Sequence, residues 1–210
     1  MQRMPRTRSD SRSKIVRGAQ DLLRRQGYRG TRLAQIIEES GGPRGSTYFL
    51  FPGGKEQIAT EAIDASGAEF DALIRTAHQA TGTAREWINA MADHFAASLR
   101  DSGFTQGCPV STVTLDSAPG SPGLTAACRG AYDRWLSALT DGLVGHGVTE
   151  SAAPDLATVM LSSFEGAMLL CRAHQSTEPL RQVQQHILRT VEHELADAQR
   201  AGSSRGIART

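Results

Sequence analysis

The sequence of 210 residues predicts an all-α fold. Aromatic residues make up only 5% of the chain, and Ala, Leu, Arg, Glu and Gln are plentiful, a composition that favours helix over sheet. Apolar residues recur at three- and four-residue intervals along most of its length, the period of a helix face. The one stretch with strand propensity, Val110 to Leu115, has no partner strand and is expected to be a short helix or irregular.

Ile15, Val16, Ala19, Leu22 and Leu23 trace the first helix, stopped at Gly27, with Tyr28 packing back over its end. A shorter helix follows, with Thr31 as N-cap, then Leu33, Ala34, Ile36 and Ile37, ending at Gly41-Gly42. Pro43 suits the first position of a third helix through Phe49. Phe51-Pro52-Gly53-Gly54 breaks the chain, and a long helix covers about 55–80. Another spans about 83–101, with Trp87, Ile88, Met91, Phe95 and Leu99 on one face. Residues 102–123 are the least regular, punctuated by Gly107-Cys108-Pro109 and Ala118-Pro119-Gly120. Leu124, Cys128, Ala131, Trp135, Leu139 and Leu143 trace the next helix, and two more cover about 154–174 and 178–199. About the first eight residues, and the Gly/Ser/Arg-rich tail 201–210, are expected to be disordered.

Net charge is +1 overall but sharply divided. Residues 1–50 carry eleven Lys/Arg against four Asp/Glu, a net +7, whereas residues 51–210 carry twelve against eighteen, a net −6. A basic head that meets polyanion and an acidic body that does not is the natural reading. With no run of about 18 apolar residues, no membrane span is expected, and with no apolar stretch after the basic N-terminus, no secretory signal. A cytoplasmic location follows. Cys108, Cys128 and Cys171 form no C-x-x-C pair, so free thiols are expected rather than a disulfide framework or zinc site.

Two short helices joined by a glycine-containing turn in a basic segment fit helix-turn-helix geometry, whose second helix enters the major groove. There Arg44 can reach phosphate or guanine, Gly45 lets the backbone approach, and Ser46, Thr47 and Tyr48 offer hydroxyls. An ordinary helical hairpin with a polar face would share the pattern.

The string Gly27-Tyr28-Arg29-Gly30-Thr31, then Ile36-Ile37, then Gly41 through Phe51, then Lys55-Glu56, resembles the N-terminal signature of the TetR family of repressors over roughly residues 10–65. The resemblance implies an all-helical homodimer: a three-helix DNA-binding head over 1–54, and a helical effector-binding and dimerisation body over 55–200. It also implies that Thr31 caps the second helix and touches a phosphate, that Arg44 to Tyr48 form the recognition helix, and that Lys55 meets a phosphate. Leu50 stands where the family usually has His, and Arg32, where a second Thr is common, could add a contact. The extra glycine in Phe51-Pro52-Gly53-Gly54-Lys55-Glu56-Gln57, with Gly107-Cys108-Pro109-Val110, Cys128, Tyr132 and Trp135, is similar to the LmrA/YxaF-like subgroup. That subgroup implies control of efflux or catabolic genes and planar aromatic effectors.

Such a regulator needs an apolar effector site. Candidate lining residues are Trp87, Met91, His94 and Phe95, Cys108 and Val113, and Trp135, Met160, Phe164 and Met168. Stripes of this kind also serve simply as core. Small residues Ser162, Ser163, Gly166 and Ala167, with the stripe Leu180, Val183, Ile187, Val191 and Leu195, suit a dimer interface through the last two helices. The expected reading is a repressor that binds a palindromic operator as a dimer and is released by a small aromatic or hydrophobic effector. No cofactor and no metal are expected.

Two other readings share parts of this pattern. A redox sensor would act through Cys108 or Cys128, yet no basic residue lies near Cys108 in sequence to lower its pKa. A helical enzyme or metal protein finds little support. H-E-x-x-H and the dinucleotide glycine fingerprint are both missing. Gly53-Gly54-Lys55 lacks the first P-loop Gly, and His186 and His193 with Glu194 are a weak metal set.

Overall fold

The computed structural model describes residues 8–41, 44–117 and 120–207, with side chains for all of these except 8, 9, 44–46 and 201–207. Among the described residues there are nine helices and no strand. Gly42, Pro43, Ala118, Pro119 and the expected disorder over 1–7 and 208–210 lie outside them.

The chain forms two compact units, Met1–Glu69 with Gln106–Tyr132, and Phe70–Thr105 with Asp133–Thr210. Compactness therefore divides the chain differently from the sequence-based boundary at residue 54.

The first unit holds α1 (Arg8–Gln26), α2 (Leu33–Ser40), α3 (Arg44–Leu50), the start of α4 (Gly54–Ala80), α6 (Pro109–Asp116) and the start of α7 (Pro122–Gly145). Ile15, Ala19 and Leu23 of α1 are buried with Ile36 of α2 and Ile58 and Ile63 of α4. A polar seam joins α1 to α4: the buried Gln20 amide donates to Ser66 Oγ at 3.0 Å and Glu69 Oε2 at 3.1 Å. Gly27 ends α1 at φ +68°, as expected of a left-handed stop.

The segment Val110–Leu115 resolves as helix, with Pro109 in the first turn where a missing N–H costs nothing. This helix grips the end of α1. Thr112 Oγ1 donates to Leu23 O at 2.7 Å, and Gly107 N–H to Arg24 O at 3.0 Å. The Asp116 carboxylate accepts from Arg29 N–H at 2.8 Å and from Ser117 Oγ at 2.5 Å. A β-carbon on Gly27 would collide with that carboxylate, so the glycine serves both the turn and the approach of α6.

The second unit holds the rest of α4 and α7 with α5 (Ala84–Asp101), α8 (Ala153–His174) and α9 (Glu178–Ile207). Thr83 and Glu86 start α5 with a reciprocal capping box. α5 packs against both α8 and α9. Of the stripe expected at a dimer face, Leu180, Ile187 and Val191 are buried within the unit, while Val183 and Leu195 are half-buried. The segment 201–207 continues α9 as helix.

α8 is long and apolar enough to cross a membrane by length and composition, which a search for an uninterrupted apolar run overlooks. Its Leu156, Met160, Phe164 and Cys171 are nevertheless buried in the unit, the pattern of a core helix.

Candidate nucleic-acid interface and effector-site residues

The interface is built from α2, its turn and α3. α2 begins after Arg32, whose extended backbone (φ −101°, ψ 147°) makes it the N-cap in place of Thr31. Gln35 Oε1 accepts from Arg32 N–H at 2.8 Å, the one half of a capping box available, because a guanidinium has no acceptor. Thr31 is only 1% exposed, and its hydroxyl donates to Gly27 O at 2.6 Å. It braces the α1–α2 turn and offers no surface to a phosphate. α2 ends at Gly41 (φ +61°), whose N–H returns to Glu38 O.

In α3 the burial pattern sorts the candidates. Thr47, expected to read DNA, is 1% exposed and faces the core, whereas Tyr48 and Phe49 are each 65% exposed. Successive residues on a two-turn helix point about 100° apart, so only part of the motif can face outward. Two large aromatic rings this exposed are conspicuous in so small a unit. The side chains of Arg44, Gly45 and Ser46 lie outside the described set. Arg32 is exposed, with Lys14, Arg17 and Arg29 exposed elsewhere in the same basic unit.

Lys55 departs from expectation. Its ammonium donates to the carbonyls of Tyr28 (3.0 Å) and Thr31 (2.9 Å) and lies over the Tyr28 ring. Burial pushes its pKa down, against a smaller opposing pull from Asp116. It fastens α4 to the α1–α2 turn. Arg12, which sequence reasoning missed, donates to Leu50 O at 2.6 Å, pairs with Glu61 and covers the buried Phe51 ring.

The expected effector-lining residues fall into separate groups. Cys108 and Val113 belong to the first unit and the other eight to the second. Within the second unit Phe95 meets Phe70 (centroids 5.1 Å) and Phe164 (5.8 Å), and Phe70 meets Trp135 edge-on at 4.9 Å. His94 is exposed beside Phe95, while Met91, Met160 and Met168 are buried. Phe70 went unnoticed in sequence, although Ile63, Phe70 and Ile74 keep helical spacing. Trp87 stands apart from this aromatic group. Its indole N–H donates to Ile74 O at 3.1 Å, and its ring contacts His78, His146 and the bare face of Gly142. That is a structural setting rather than a lining one.

His193 pairs with Asp197 at 3.2 Å, and no group of three or more His, Cys, Asp or Glu suited to a metal occurs among the described residues.

Comparison with known proteins adds four findings. The model for the C-terminal domain of LmrA/YxaF-like transcriptional regulators matches residues 84–186. The transcriptional regulator LmrA of Bacillus subtilis is 36% identical over 81% of this chain and 91% of its own. YxaF of the same organism, a helix-turn-helix-type transcriptional regulator, is 32% identical over 86% and 95%. In fold, a TetR transcriptional regulator from Legionella pneumophila superimposes with a TM-score of 0.78 at 19% identity, covering 90% of this chain and 99% of that one.

Proposed function

The chain belongs to the LmrA/YxaF-like branch of the TetR family of transcriptional regulators, and from that premise we propose that it is a repressor released from a palindromic operator by a small aromatic or hydrophobic effector. It is a DNA-binding regulator and not an enzyme. The observation that carries the DNA-reading part is the outward face of α3, where Tyr48 and Phe49 stand exposed beside a buried Thr47. Residues 1–54 read the operator in the cytoplasm, with Arg32, Arg44, Gly45, Ser46 and Tyr48 at the duplex. Residues 55–200 receive the effector and dimerise. The effector site draws on Phe95, Trp135 and Phe164, because a cluster of aromatic rings suits a planar apolar ligand.

Dimerisation uses the face of α8 that the monomer leaves open. Val159, Ser162, Gly166 and Leu169 are exposed at spacings of three and four, and nothing lies within 4 Å of a β-carbon placed on Gly166. Such a face admits close helix approach. Two-fold pairing would present recognition helices about 34 Å apart or a multiple of that, as a palindrome demands.

The test is selection of duplexes from a random-sequence library by the purified chain, followed by nuclease protection and light scattering. A protected palindrome bound by a dimer, released by members of a hydrophobic aromatic panel, is expected. A monomer, a non-palindromic site, or retention across the whole panel overturns the corresponding part.

A further inference from the structure

Helix α3 is seven residues long, too short to hold its shape or direction alone. Its last carbonyls have no partner within the helix and must find one elsewhere. One of them, Leu50 O, is taken by Arg12 Nη1 at 2.6 Å. The other arm of the same guanidinium meets Glu61 of α4, and its Cζ lies 4.4 Å from the centroid of the Phe51 ring. Glu61 Oε1 also accepts from Gln57 Nε2 at 3.1 Å, and Gln57 Oε1 accepts from Gly53 N–H at 2.9 Å. A β-carbon on Gly53 would come within 3.0 Å of Gln57 Cβ, so the glycine leaves Gln57 room to reach the turn. These links tie α1, the end of α3, the turn after it and α4 into one circuit.

We propose that Arg12 and Glu61 are positioning residues for the recognition helix, so that an acidic side chain supports DNA binding without touching DNA. The inference rests on the operator-binding reading above. A guanidinium suits the task because its planar fork can serve a carbonyl, a carboxylate and a ring face together, which an ammonium cannot. As an isolated ion pair Arg12–Glu61 contributes little, since both side chains are partly exposed. Its effect is geometric: a small rotation of α3 misplaces Tyr48 and every neighbouring contact at once. Leu50 brings no polar side chain to this corner, so its carbonyl is the handle by which α3 is held.

Charge alone and positioning predict opposite signs. Removing a carboxylate near a polyanion should tighten binding if only electrostatics matter. The clamp requires Glu61→Gln to weaken it. Affinity is measured at several salt concentrations, on a palindromic duplex selected by the wild-type chain and on a mixed-sequence duplex. Glu61→Gln and Arg12→Lys are each expected to weaken the selected duplex on the order of tenfold. The mixed duplex should be bound no more weakly, and the salt slope should be unchanged, because no phosphate contact is lost. Gln57→Ala, which cuts one link and keeps the ion pair, is expected to give a smaller loss of the same sign. It serves if either first variant fails to melt cooperatively.

Unchanged or tighter binding by Glu61→Gln, or by Gln57→Ala where Glu61→Gln does not fold, overturns the clamp. A fall of about one in the salt slope for Arg12→Lys reassigns Arg12 to a phosphate and overturns it equally. A wild-type chain that selects no duplex overturns the operator reading, and the clamp with it.

Discussion

Lys55 Nζ sits 3.8 Å from the centroid of the Tyr28 ring while donating to Tyr28's own carbonyl oxygen at 3.0 Å. One ammonium thus satisfies a ring face and two turn carbonyls, those of Tyr28 and Thr31. Reaching a phosphate would require it to abandon them.

Lys55→Met should therefore act on stability before it acts on DNA. Hydrogen bonds from a charged donor contribute about 1.5–3 kcal/mol and a cation–π contact about 0.5–1 kcal/mol, so a loss of at least about 2 kcal/mol is expected in urea unfolding. Unaltered unfolding with weakened DNA binding would return Lys55 to the phosphate backbone.

Gly142→Ala tests the seat of Trp87. The added carbon would lie 2.5 Å from two indole atoms, and the ring is fully buried. Overpacking of this kind costs about 1–3 kcal/mol, and the tryptophan emission should shift as the indole is displaced. Unchanged emission and stability would mean the ring moves freely.

The His78–His146 pair gives the second unit a pH dependence. The rings share a hydrogen bond at 3.0 Å, and burial, then the neighbouring His78, hold His146 below its ordinary value of 6.5. The folded chain thus binds fewer protons than the unfolded one just below that value. This contribution to stability is present above pH 6.5 and is lost as pH falls through the lowered folded pKa. Thermal midpoints from pH 7.5 down to 5 (roughly the imidazole range) should decline, and His146→Gln should flatten the decline. An equal slope in the variant would place the titration elsewhere.

The thiols should separate by accessibility. Burial raises the pKa of Cys128 and Cys171, both enclosed, while Cys108 is half-buried at the start of α6. An aromatic disulfide reagent at neutral pH should modify Cys108 first and reach the other two only in denaturant, as mass mapping would record. Rapid modification of Cys128 would revive the redox-sensing alternative.

The helices were legible because their apolar periodicity is local. Ile15, Ala19 and Leu23 sit at helical spacing in the sequence and are buried together in the structure. Which face of a short helix turns outward is decided by distant partners, and there the sequence reading failed. Thr47 and Tyr48 are adjacent hydroxyl residues in a basic motif, yet one is buried and the other exposed. The sequence shows Lys55 as a cation but not as a fastening, because its partners are backbone carbonyls that carry no side-chain signal. Arg12 is one of eleven basic residues in the first fifty, and its partners Leu50 O, Glu61 and Phe51 lie 38 to 49 positions away, too far for local spacing to reveal. Trp87 and Phe95 share a helix but enter different aromatic groups, a separation fixed by α4 and α7.

The first unit is completed by a segment that lies far downstream in the chain. Leu23 O, Arg24 O and Arg29 N–H are met by Thr112, Gly107 and Asp116, more than eighty positions later. During synthesis at about 5–20 residues per second, α1 to α3 must wait several seconds for α6 to leave the ribosome. Until then the end of α1 stays open to water and to other nascent chains. A fragment cut after the recognition helix would remain in that unfinished state permanently.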